Sequence, residues 1–598
     1  MMSHDVKRPT VPDEPLFIDH LMNVLKSHGV RTVFGLPGSA IGPLLGRLLA
    51  ETEIDLVVSR HEAGAVAMAD GYARATGNLG VAIVTSGPGA LNALPHLAVA
   101  NADNSPVLLI TGEADQARHG RGAFQESSRD GVDTVDVFRP CTAYSRSLSS
   151  PDSAAVLLAN ALRHALSTPR GAVHLSVPVD LYGKACPSPP VAPGVGAMWG
   201  ASVPGEAVDR VLTALLTASR PLILLGNGSR PALGETTSLV TDFAAFCGRH
   251  ALPVATTTKA KGLFPEDREE ALGVVSIGGS ARAHAYIDRP VDIVLVLGSS
   301  LGEWASRNWT PALQASHAFF HVDADPTRIG RAYWANHGIT ADITPFLHAL
   351  LQADARHRER GEDGSAASRR AVLRGLPPVH PSTPTTYHEL TPLKPQVVMH
   401  HLREWLAQTN ERILLLDAGN GTGWFTRQVP ISAPSRALLP WGMGSMGWAN
   451  AAVVGAKAAR PDATCATITG DGGFLMNAVE IATAAHRGIG AIWIVLQDDS
   501  YNTVRQGMNH AFPGSRRITD ESFRLGDPDL ATLARSLGAQ AHSVNHSGQL
   551  LTALGLAEKQ AHENRRPQVV CVRVDPDEPG PFDDRHDAVS ESFRQETR

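Results

Sequence analysis

Two aspartates stand directly after two strand-like runs of the sequence. Asp471 follows the apolar run ATCATIT within the Gly-Asp-Gly-Gly turn 470–473, and Asp498 follows the run IWIVLQ. The interval between the two acids fits a helix of about 15 residues and a strand of about 6 residues. Both carboxylates are therefore predicted at the carboxyl edge of adjacent parallel strands, where open α/β sheets bind ligands. With a backbone carbonyl, a water molecule and phosphate oxygens, they would complete the octahedral shell that Mg²⁺ prefers.

The glycines of the same turn predict a site for an anion. Gly470, Gly472 and Gly473 let backbone N–H groups approach a ligand closely, and the helix predicted to follow adds its dipole. Taken singly, Asp471 could equally cap that helix and Asp498 could cap a turn. Two acids, with glycines around the first and a strand before each, form a much more specific pattern than either acid alone.

A third carboxyl group, Glu62, opens a predicted helix with small residues on its face, after the strand-like run IDLVVS. A glutamate in the first turn of a helix is stabilised by the helix dipole, so Glu62 by itself indicates no chemistry. Only the surrounding sequence gives it a specific interpretation.

Short apolar runs alternate with amphipathic helical stretches along almost the whole chain. Examples are VAIVTSG, PVLLITG, PLILLGNG, VDIVLVLG and RILLLDAGNG, which are rich in Val, Ile and Leu and stop at Gly, Asp or Asn. Buried parallel strands with helices on both faces have this pattern. We therefore predict an α/β fold of doubly wound, mainly parallel sheets.

Two stretches poor in large apolar residues suggest domain boundaries, one at 186–204 and one at 352–386. The chain then divides into an N-terminal domain, a central domain, a linker, a C-terminal domain and a polar tail, at 14–186, 205–351, 352–386, 387–575 and 576–598. The first and third domains share the order strand, glycine-rich turn, helix, strand, as duplicated α/β domains would.

Composition excludes several classes of protein. The chain has 598 residues, 43% of them hydrophobic, and a formal net charge of −6, whereas nucleic-acid-binding proteins usually present a basic surface. Its five cysteines form no CxxC pair, which argues against a zinc site or a disulfide framework. With a polar N-terminus and no apolar run of about 20 residues, we expect neither signal peptide nor membrane span, and a cytoplasmic location.

The segment GDGGFLMN…LQDDSYN resembles the cofactor motif of thiamine-diphosphate-dependent enzymes, usually written GDG followed by an Asn-Asn pair. By this resemblance Asp471 and Asp498 are metal ligands and Ser500 supplies a metal-binding carbonyl. It also implies cofactor contacts from Gly470, Gly472, Gly473 and Tyr501. The chain has Asp498 where the broad family has asparagine, a form similar to that of the catabolic, flavin-independent acetolactate synthases.

The N-terminal domain carries a second match. RHEAGAVAMADGYAR resembles the family's pyrimidine-binding helix, and by this resemblance Glu62 is the carboxyl group that hydrogen-bonds and activates the cofactor's aminopyrimidine ring. The carboxyl group that looked unremarkable alone becomes the main catalytic candidate.

Three shorter segments support that match. VFGLPGSA resembles a family turn in which Gly38 lies on the substrate side of the cofactor, and VTSGPGALN places Ser86 and Asn92 near the pyrimidine. GAFQES resembles the segment of acetolactate synthases that sets a phenylalanine and a glutamine, here Phe124 and Gln125, beside the reacting carbon.

The C-terminal domain resembles the family's diphosphate domain in two further segments. DAGNGTGWF predicts phosphate contacts from Asn420, Gly421 and Thr422. GMGSMGWANAAVVGA places Gly444 against the cofactor and makes Met446 the large apolar residue that supports its bent shape. Without the resemblance, Met446 would be ordinary core filling.

The resemblance implies thiamine diphosphate and Mg²⁺ as cofactors. It also implies decarboxylation of a 2-oxo acid, with pyruvate as the expected donor, followed by carboligation to a second carbonyl compound. A simple 2-oxo acid decarboxylase and a non-catalytic cofactor-binding relative are the alternatives. The paired histidines of pyruvate decarboxylases are missing near His119, and intact Glu62, Asp471 and Asp498 argue against a non-catalytic relative.

Partners and specificity follow from three features. Active sites of the family lie between subunits, so we expect a homodimer or homotetramer and no nucleic-acid or membrane partner. SSLGEWASRNW replaces the Arg-Phe-Asp-Asp-Arg type segment of flavin-binding synthases, so FAD is not expected in the central domain. Gly507 stands about where anabolic synthases have a tryptophan that selects the acceptor, so a different or larger acceptor would fit.

Overall fold

The fold is that of a computed structural model, which describes residues 15–186, 203–234, 238–359, 366–408, 411–582 and 585–587. Two compact units, 1–197 and 198–598, divide the chain. The first unit holds one six-stranded parallel β-sheet and the second holds two. Most of the predicted boundary stretch 186–204 lies outside the described residues.

The sheet of the first unit is built from six short strands with helices between them. The strands are β1 (Thr32–Gly35), β2 (Asp55–Val58), β3 (Gly80–Val84), β4 (Val107–Glu113), β5 (Tyr144–Ser147) and β6 (Val173–Pro178). The helices are α1 (Phe17–Ser27), α2 (Gly42–Leu49), α3 (Glu62–Thr76), α4 (Pro88–Ala102), α5 (Thr134–Phe138) and α6 (Pro151–Leu166). The strand order is β2-β1-β3-β4-β6-β5, with parallel pairs.

The second sheet lies in the central part of the chain. Its strands are β7 (Pro221–Leu225), β8 (Val254–Thr256), β9 (Ala271–Val274), β10 (Ile293–Leu297), β11 (Ala318–Asp323) and β12 (His337–Thr340). Its helices are α7 (Gly205–Thr217), α8 (Arg230–Leu233), α9 (Ser238–His250), α10 (Ala281–Ile287), α11 (Ile343–Glu359) and α12 (Ala366–Arg374). The order β12-β11-β10-β7-β8-β9 is that of a Rossmann-type doubly wound sheet.

The third sheet belongs to the C-terminal part. Its strands are β13 (Arg412–Leu416), β14 (Arg436–Leu438), β15 (Thr464–Gly470), β16 (Ile492–Gln497), β17 (Gln540–Val544) and β18 (Gln568–Arg573). Its helices are α13 (Pro395–Leu406), α14 (Asn420–Gln428), α15 (Trp448–Ala459), α16 (Asp471–Asn477), α17 (Glu480–Arg487), α18 (Asn502–Ala511), α19 (Arg516–Ser522), α20 (Leu530–Ser536) and α21 (Ser547–Glu563). The strand order is β14-β13-β15-β16-β18-β17.

The first and third sheets have the same strand order, counted from the first strand of each. In both, the order reverses between the first and third strands, and the loops that follow those strands diverge there and leave a crevice. The apolar runs read as strands are buried along nearly their whole length, as in β10 and β16. The predicted α/β class with doubly wound parallel sheets is confirmed, and the shared order supports a duplicated domain.

Two local features differ from the simplest expectation. The single helix expected between the two acids is divided into α16 and α17, because the amides of Ile481 and Ala482 bond three residues back to Ala478 and Val479. The predicted linker contains the end of α11 and all of α12. There Arg369 is buried and donates to the carbonyls of Leu215, Leu216, Ala218 and His250.

The predicted tail is described at residues 576–582 and 585–587, and its first part contacts α14 and α18. The rest of it lies outside the described residues. Each helix in the described ranges is too short or too polar to cross a lipid bilayer.

A buried ion pair between β8 and β9 is hydrogen-bonded to the C-terminal part of the chain. Both carboxylate oxygens of Glu266 lie 2.9 Å from Nζ of Lys261, and the amide of Ile431 donates to Glu266 over 3.1 Å. His380, from the predicted linker, lies 3.1 Å from the same carboxylate. Burial alone would raise the pKa of Glu266, but the charge of Lys261 and the contact with His380 outweigh it and hold the pKa below its usual range. Burial lowers the pKa of Lys261, so each charge here depends on its partner.

Removing one partner of this pair should be costly. Lys261→Met leaves Glu266 buried without its cation and should lower the free energy of unfolding by about 3–5 kcal/mol, measured by chemical denaturation. The double variant Lys261→Met/Glu266→Gln removes both charges and should recover much of that loss. Arg210→Met, at the exposed pair with Glu206, is the matched control and should cost less than about 1 kcal/mol. Equal losses at the buried and exposed pairs would contradict this account.

Candidate active site

A cavity of about 580 Å³ opens at the carboxyl edge of the third sheet, within the second unit. Asp417 follows β13, Asp471 follows β15 and Asp498 follows β16, and all three line the cavity. Because β13 and β15 are the strands between which the order reverses, the cavity occupies the position where open α/β sheets bind ligands.

Asp471 ties the ends of β15 and β16 together. Its Oδ2 accepts the backbone N–H of Asp498 over 3.0 Å and that of Asp499 over 2.6 Å, and its Oδ1 accepts the N–H of Gly472 over 2.9 Å. The side chain is buried. The two acids predicted at one sheet edge are therefore brought together by hydrogen bonds that the backbone after β16 donates to the carboxylate of Asp471.

The side chains of Asp498 and Asp499 point in different directions. Asp498 accepts from Nδ2 of Asn502 over 2.7 Å and lines the cavity. Asp499 has a φ of 60° and its carboxylate contacts Arg524 at 3.2 Å and the amide of Asp527. A left-handed backbone is strained for aspartate, and the hydrogen bond from its N–H to Asp471 helps to hold it. This bend leaves Asp498 at the cavity and points Asp499 away.

The carboxylates of Asp471 and Asp498 repel each other when both are ionised. Burial raises the pKa of Asp471 and of Asp498 above the ordinary aspartate range, and the charge of Asp471 raises that of Asp498 further. A divalent cation between the two carboxylates would remove this cost by favouring both ionised forms.

Two of the three glycines around the first acid leave no room for a side chain. A Cβ at Gly472 would lie 2.9 Å from the ring of Tyr501, and a Cβ at Gly473 would lie 2.3 Å from Oδ2 of Asp417. At Gly470 a Cβ would meet nothing within 4 Å, so the turn is open on that side. Gly419 precedes α14 and has a φ of 145°, a conformation that L residues avoid.

Asp417 holds the loop that carries Met446. Its Oδ2 accepts the N–H of Gly447 over 2.8 Å and the hydroxyl of Thr469 over 3.1 Å, and its Oδ1 accepts the N–H of Ala449 over 3.2 Å. Burial raises the pKa of Asp417 to about 6. The predicted residues Gly444 and Met446 line the cavity on this loop.

Thr422, one of the predicted phosphate contacts, uses its hydroxyl within the protein. Thr422 is buried and its hydroxyl donates to the carbonyl of Asp417 over 2.5 Å. The hydroxyl proton is therefore used within the turn and is not offered to a ligand. Asn420 and Gly421 do line the cavity. Asn420 is oriented by a hydrogen bond from Thr503 over 2.9 Å and donates to Gln506 over 3.2 Å.

Glu62 lies in the first unit as the first residue of α3. It is buried, and its Oε2 accepts from Nδ2 of Asn92 over 3.1 Å. A Cβ at Gly89 would approach Oε1 of Glu62 to 3.2 Å. Small residues on α3 and α4 thus bring the two helices together and place Asn92 on the glutamate, a contact that the sequence did not predict.

The other predicted residues of the first unit gather at the loop after β3. A Cβ at Gly38 would lie 2.3 Å from Thr85, and one at Gly87 would lie 3.0 Å from Cβ of Gln125. Gln125 has a φ of 55°, whereas its neighbour Phe124 is 86% exposed. Ser86 is buried beside them. Gly38, Ser86 and Gln125 are therefore close together, and Phe124 projects outward from its own unit.

Several residues that position the side chains and loops of the site were not predicted from the sequence. Glu113 accepts the amide of Ser127 over 2.9 Å, and the hydroxyl of Ser127 accepts the amide of Gly87 over 2.7 Å. Asn502 holds Asp498, and Arg505 donates to Oδ1 of Asn502 over 2.9 Å and to the carbonyl of Pro576. The contacts with Glu113, Gly87 and Pro576 join residues far apart in sequence, so no local pattern revealed them. Asn502 and Arg505, four and seven residues after Asp498, were within reach of a spacing argument.

Known families match three regions of the chain. "Thiamine pyrophosphate enzyme, N-terminal TPP binding domain" matches residues 17–134, the central domain of the same family matches 208–350, and its C-terminal TPP binding domain matches 417–572. IlvB2 of Mycobacterium tuberculosis is 32% identical over 94% of this chain and 98% of its own. An acetolactate synthase of Arthrospira platensis is 29% identical over 93% and 94%. The acetolactate synthase isozyme 3 large subunit of Escherichia coli is 28% identical over 90% and 92%.

The chain belongs to the thiamine pyrophosphate enzymes, in the branch that is similar to acetolactate synthases. Its cofactor is thiamine pyrophosphate, also called thiamine diphosphate. The family resemblance inferred from the two motifs is confirmed over nearly the whole chain.

Exchanging Asp417 for asparagine should loosen the loop that carries Met446. The side chain of Asp417→Asn keeps one acceptor oxygen and has an NH₂ group in place of the other. At least one of the three hydrogen bonds is then lost, because this NH₂ group faces a donor. The free energy of unfolding should fall by about 1–3 kcal/mol. Asp462→Asn, an exposed aspartate before β15, is the control and should change it by less than about 0.5 kcal/mol. Denaturation that cannot distinguish the two variants would disprove the anchoring role.

Proposed function

We propose that this enzyme decarboxylates a 2-oxo acid, with pyruvate as donor, and joins the remaining acyl unit to the carbonyl carbon of a second molecule. One 2-oxo acid, one carbonyl acceptor and a proton then give a 2-hydroxy ketone and carbon dioxide. Relatives named acetolactate synthase support the reaction type. The observation that carries the proposal is the pair of Asp471 and Asp498, fixed by hydrogen bonds beside a glycine turn and a cavity.

The donor set fits a Mg²⁺-bound diphosphate. Asp471 and Asp498 offer carboxylate oxygens, and we propose the carbonyl of Ser500 as the third protein ligand. Mg²⁺ is commonly held by one or two carboxylates, with waters and phosphate oxygens completing the octahedron. The start of α14, at Asn420 and Gly421, would bind the phosphates. That the central domain works without FAD stays a prediction from the sequence.

The proposed roles of the chain's own residues follow from their positions. Bound thiamine diphosphate supplies the nucleophilic carbon and accepts the electron pair that carbon dioxide leaves behind. Glu62, buried and oriented by Asn92, would hold the aminopyrimidine ring nitrogen by a hydrogen bond. Ser86 would lie near that ring, Gly470, Gly472, Gly473 and Tyr501 near the diphosphate, and Met446 under the bend of the cofactor. Gly38, Phe124 and Gln125 would contact the substrate.

Product analysis separates this function from its alternatives. With pyruvate, thiamine diphosphate and Mg²⁺, we expect acetolactate and carbon dioxide, measured by chromatography and by gas release. Acetaldehyde as the main product would indicate a simple decarboxylase instead. Release of no carbon dioxide from pyruvate or other short 2-oxo acids would favour a non-catalytic relative. Glu62→Gln should lower turnover at least about 100-fold, since the amide cannot share a proton as a carboxyl group does.

We also propose a cytoplasmic homodimer or homotetramer in which Glu62 of one subunit and Asp471 of another act on one cofactor. Inactive Glu62→Gln and Asp471→Asn variants, unfolded together and refolded as a mixture, should then regain about a quarter of wild-type activity, because mixed dimers contain one intact site. Each variant refolded alone is the control. No recovery in the mixture, with mixed dimers shown by mass spectrometry, would place both residues in one chain's site.

A further inference from the structure

Three aromatic side chains meet at the cavity and form what we call the aromatic wall. Trp304 follows β10, Trp441 precedes α15 and Phe582 lies beyond β18. The ring centroids of Trp304 and Trp441 are 5.1 Å apart and those of Trp304 and Phe582 are 5.4 Å apart, both edge to face. This is a preferred geometry for aromatic pairs, so the three rings support one another.

Phe582 is held in the aromatic wall by the segment that carries it. Nε2 of Gln506 donates to the carbonyl of Glu578 over 2.9 Å, and its Oε1 accepts the N–H of Gly580 over 2.9 Å. A Cβ at Gly423 would lie 2.5 Å from the ring of Phe582, so a glycine there makes room for it. Phe582 is therefore positioned by α14 and α18, and Trp304 packs against it.

The cavity beside the aromatic wall has adaptable and small residues. Met443 and Met508 line it, and Met443 is 59% exposed. Methionine side chains adapt their shape and make favourable sulfur contacts with aromatic rings. Gly507 of α18 also lines the cavity. A Cβ there would meet only the ring of His586, at 3.5 Å, so the missing side chain leaves space in the cavity.

We propose that the aromatic wall binds the second carbonyl substrate and that this acceptor carries an aromatic ring. The inference rests on the proposed carboligation and names its substrate class. Pyruvate as acceptor offers a single methyl group, which would leave most of the two partly exposed rings, Trp304 and Trp441, uncovered. Phe582 is only 2% exposed and supports Trp304. A phenyl-sized substituent removes far more apolar surface from water, at roughly 25 cal/mol per Å², and adds edge-to-face contacts.

The reaction remains balanced with such an acceptor. The bond from the donor's acyl carbon to its carboxylate breaks and carbon dioxide leaves. The acyl carbon then bonds to the carbonyl carbon of the acceptor, whose oxygen takes up one proton and becomes the hydroxyl group. The product is an aryl-substituted 2-hydroxy ketone, and no oxidant or reductant is consumed.

Competition between acceptors in one vessel tests the proposal. The enzyme with thiamine diphosphate, Mg²⁺ and pyruvate is given benzaldehyde at the pyruvate concentration, and the ratio of crossed ketone to acetolactate is measured by chromatography. We expect the crossed ketone to predominate. Trp304→Ala and Gly507→Leu, which remove a ring and fill the space on α18, should each lower the ratio by about tenfold or more. Both should raise the KM for benzaldehyde more than that for pyruvate.

Gly507→Leu raises the helix propensity of α18, so we expect the variant to fold and its product ratio to report on the acceptor site. Gly555→Leu, at an exposed helical glycine of α21 with nothing within 4 Å of its Cβ position, is the matched control and should keep the wild-type ratio. Predominant acetolactate from the wild-type enzyme, or an unchanged ratio in both variants, would overturn the acceptor assignment while leaving carboligation intact. Absence of carbon dioxide release would overturn the proposed function itself, and the acceptor assignment with it.

Discussion

The hydrogen bonds from the backbone amides of Asp498 and Asp499 to the carboxylate of Asp471 are the constraint on which the site depends. They fix the ends of β15 and β16 relative to each other. They also support the left-handed backbone of Asp499, which turns that side chain toward Arg524 and leaves Asp498 at the cavity. One buried carboxylate therefore both shapes the sheet edge and provides half of the proposed metal site.

The same constraint extends outward through α18. Asn502 bonds Asp498 and the carbonyl of Pro576, and Arg505 bonds Asn502 and that carbonyl. The segment beyond β18 is thus held against the helix that follows the second acid. Because the same segment carries Phe582 to the aromatic wall, the geometry of the proposed metal site and that of the proposed acceptor site are connected through one short helix.

The sequence predicted those parts of the site that depend on local pattern. Asp471 and Asp498 follow uninterrupted apolar runs, so their place at the ends of adjacent strands could be inferred from strand and helix lengths. The family resemblance assigned Glu62 and Asn92 to the same ring of the cofactor, and the structure brings their side chains within 3.1 Å. The α/β class and the similarity of the first and third domains followed from the same alternation of strands and helices.

Long-range contacts account for what the sequence could not show. Asp417 had no pattern to indicate that it accepts hydrogen bonds from a loop about 30 residues away. No local pattern indicated that the hydroxyl of Thr422 donates to the carbonyl of Asp417. The polar composition of 576–598 concealed Phe582 and the backbone groups that α18 binds, since composition does not reveal which few residues of a polar stretch are packed.

The affinity for thiamine diphosphate with and without Mg²⁺ tests the central claim most directly. Isothermal titration calorimetry of thiamine diphosphate into the metal-free protein, in EDTA and then in millimolar Mg²⁺, measures it without catalysis. If Asp471 and Asp498 hold a cation that binds the diphosphate, affinity should rise by at least about 100-fold with Mg²⁺, or roughly 2.7 kcal/mol. Equal affinity in EDTA and in Mg²⁺ would contradict the account.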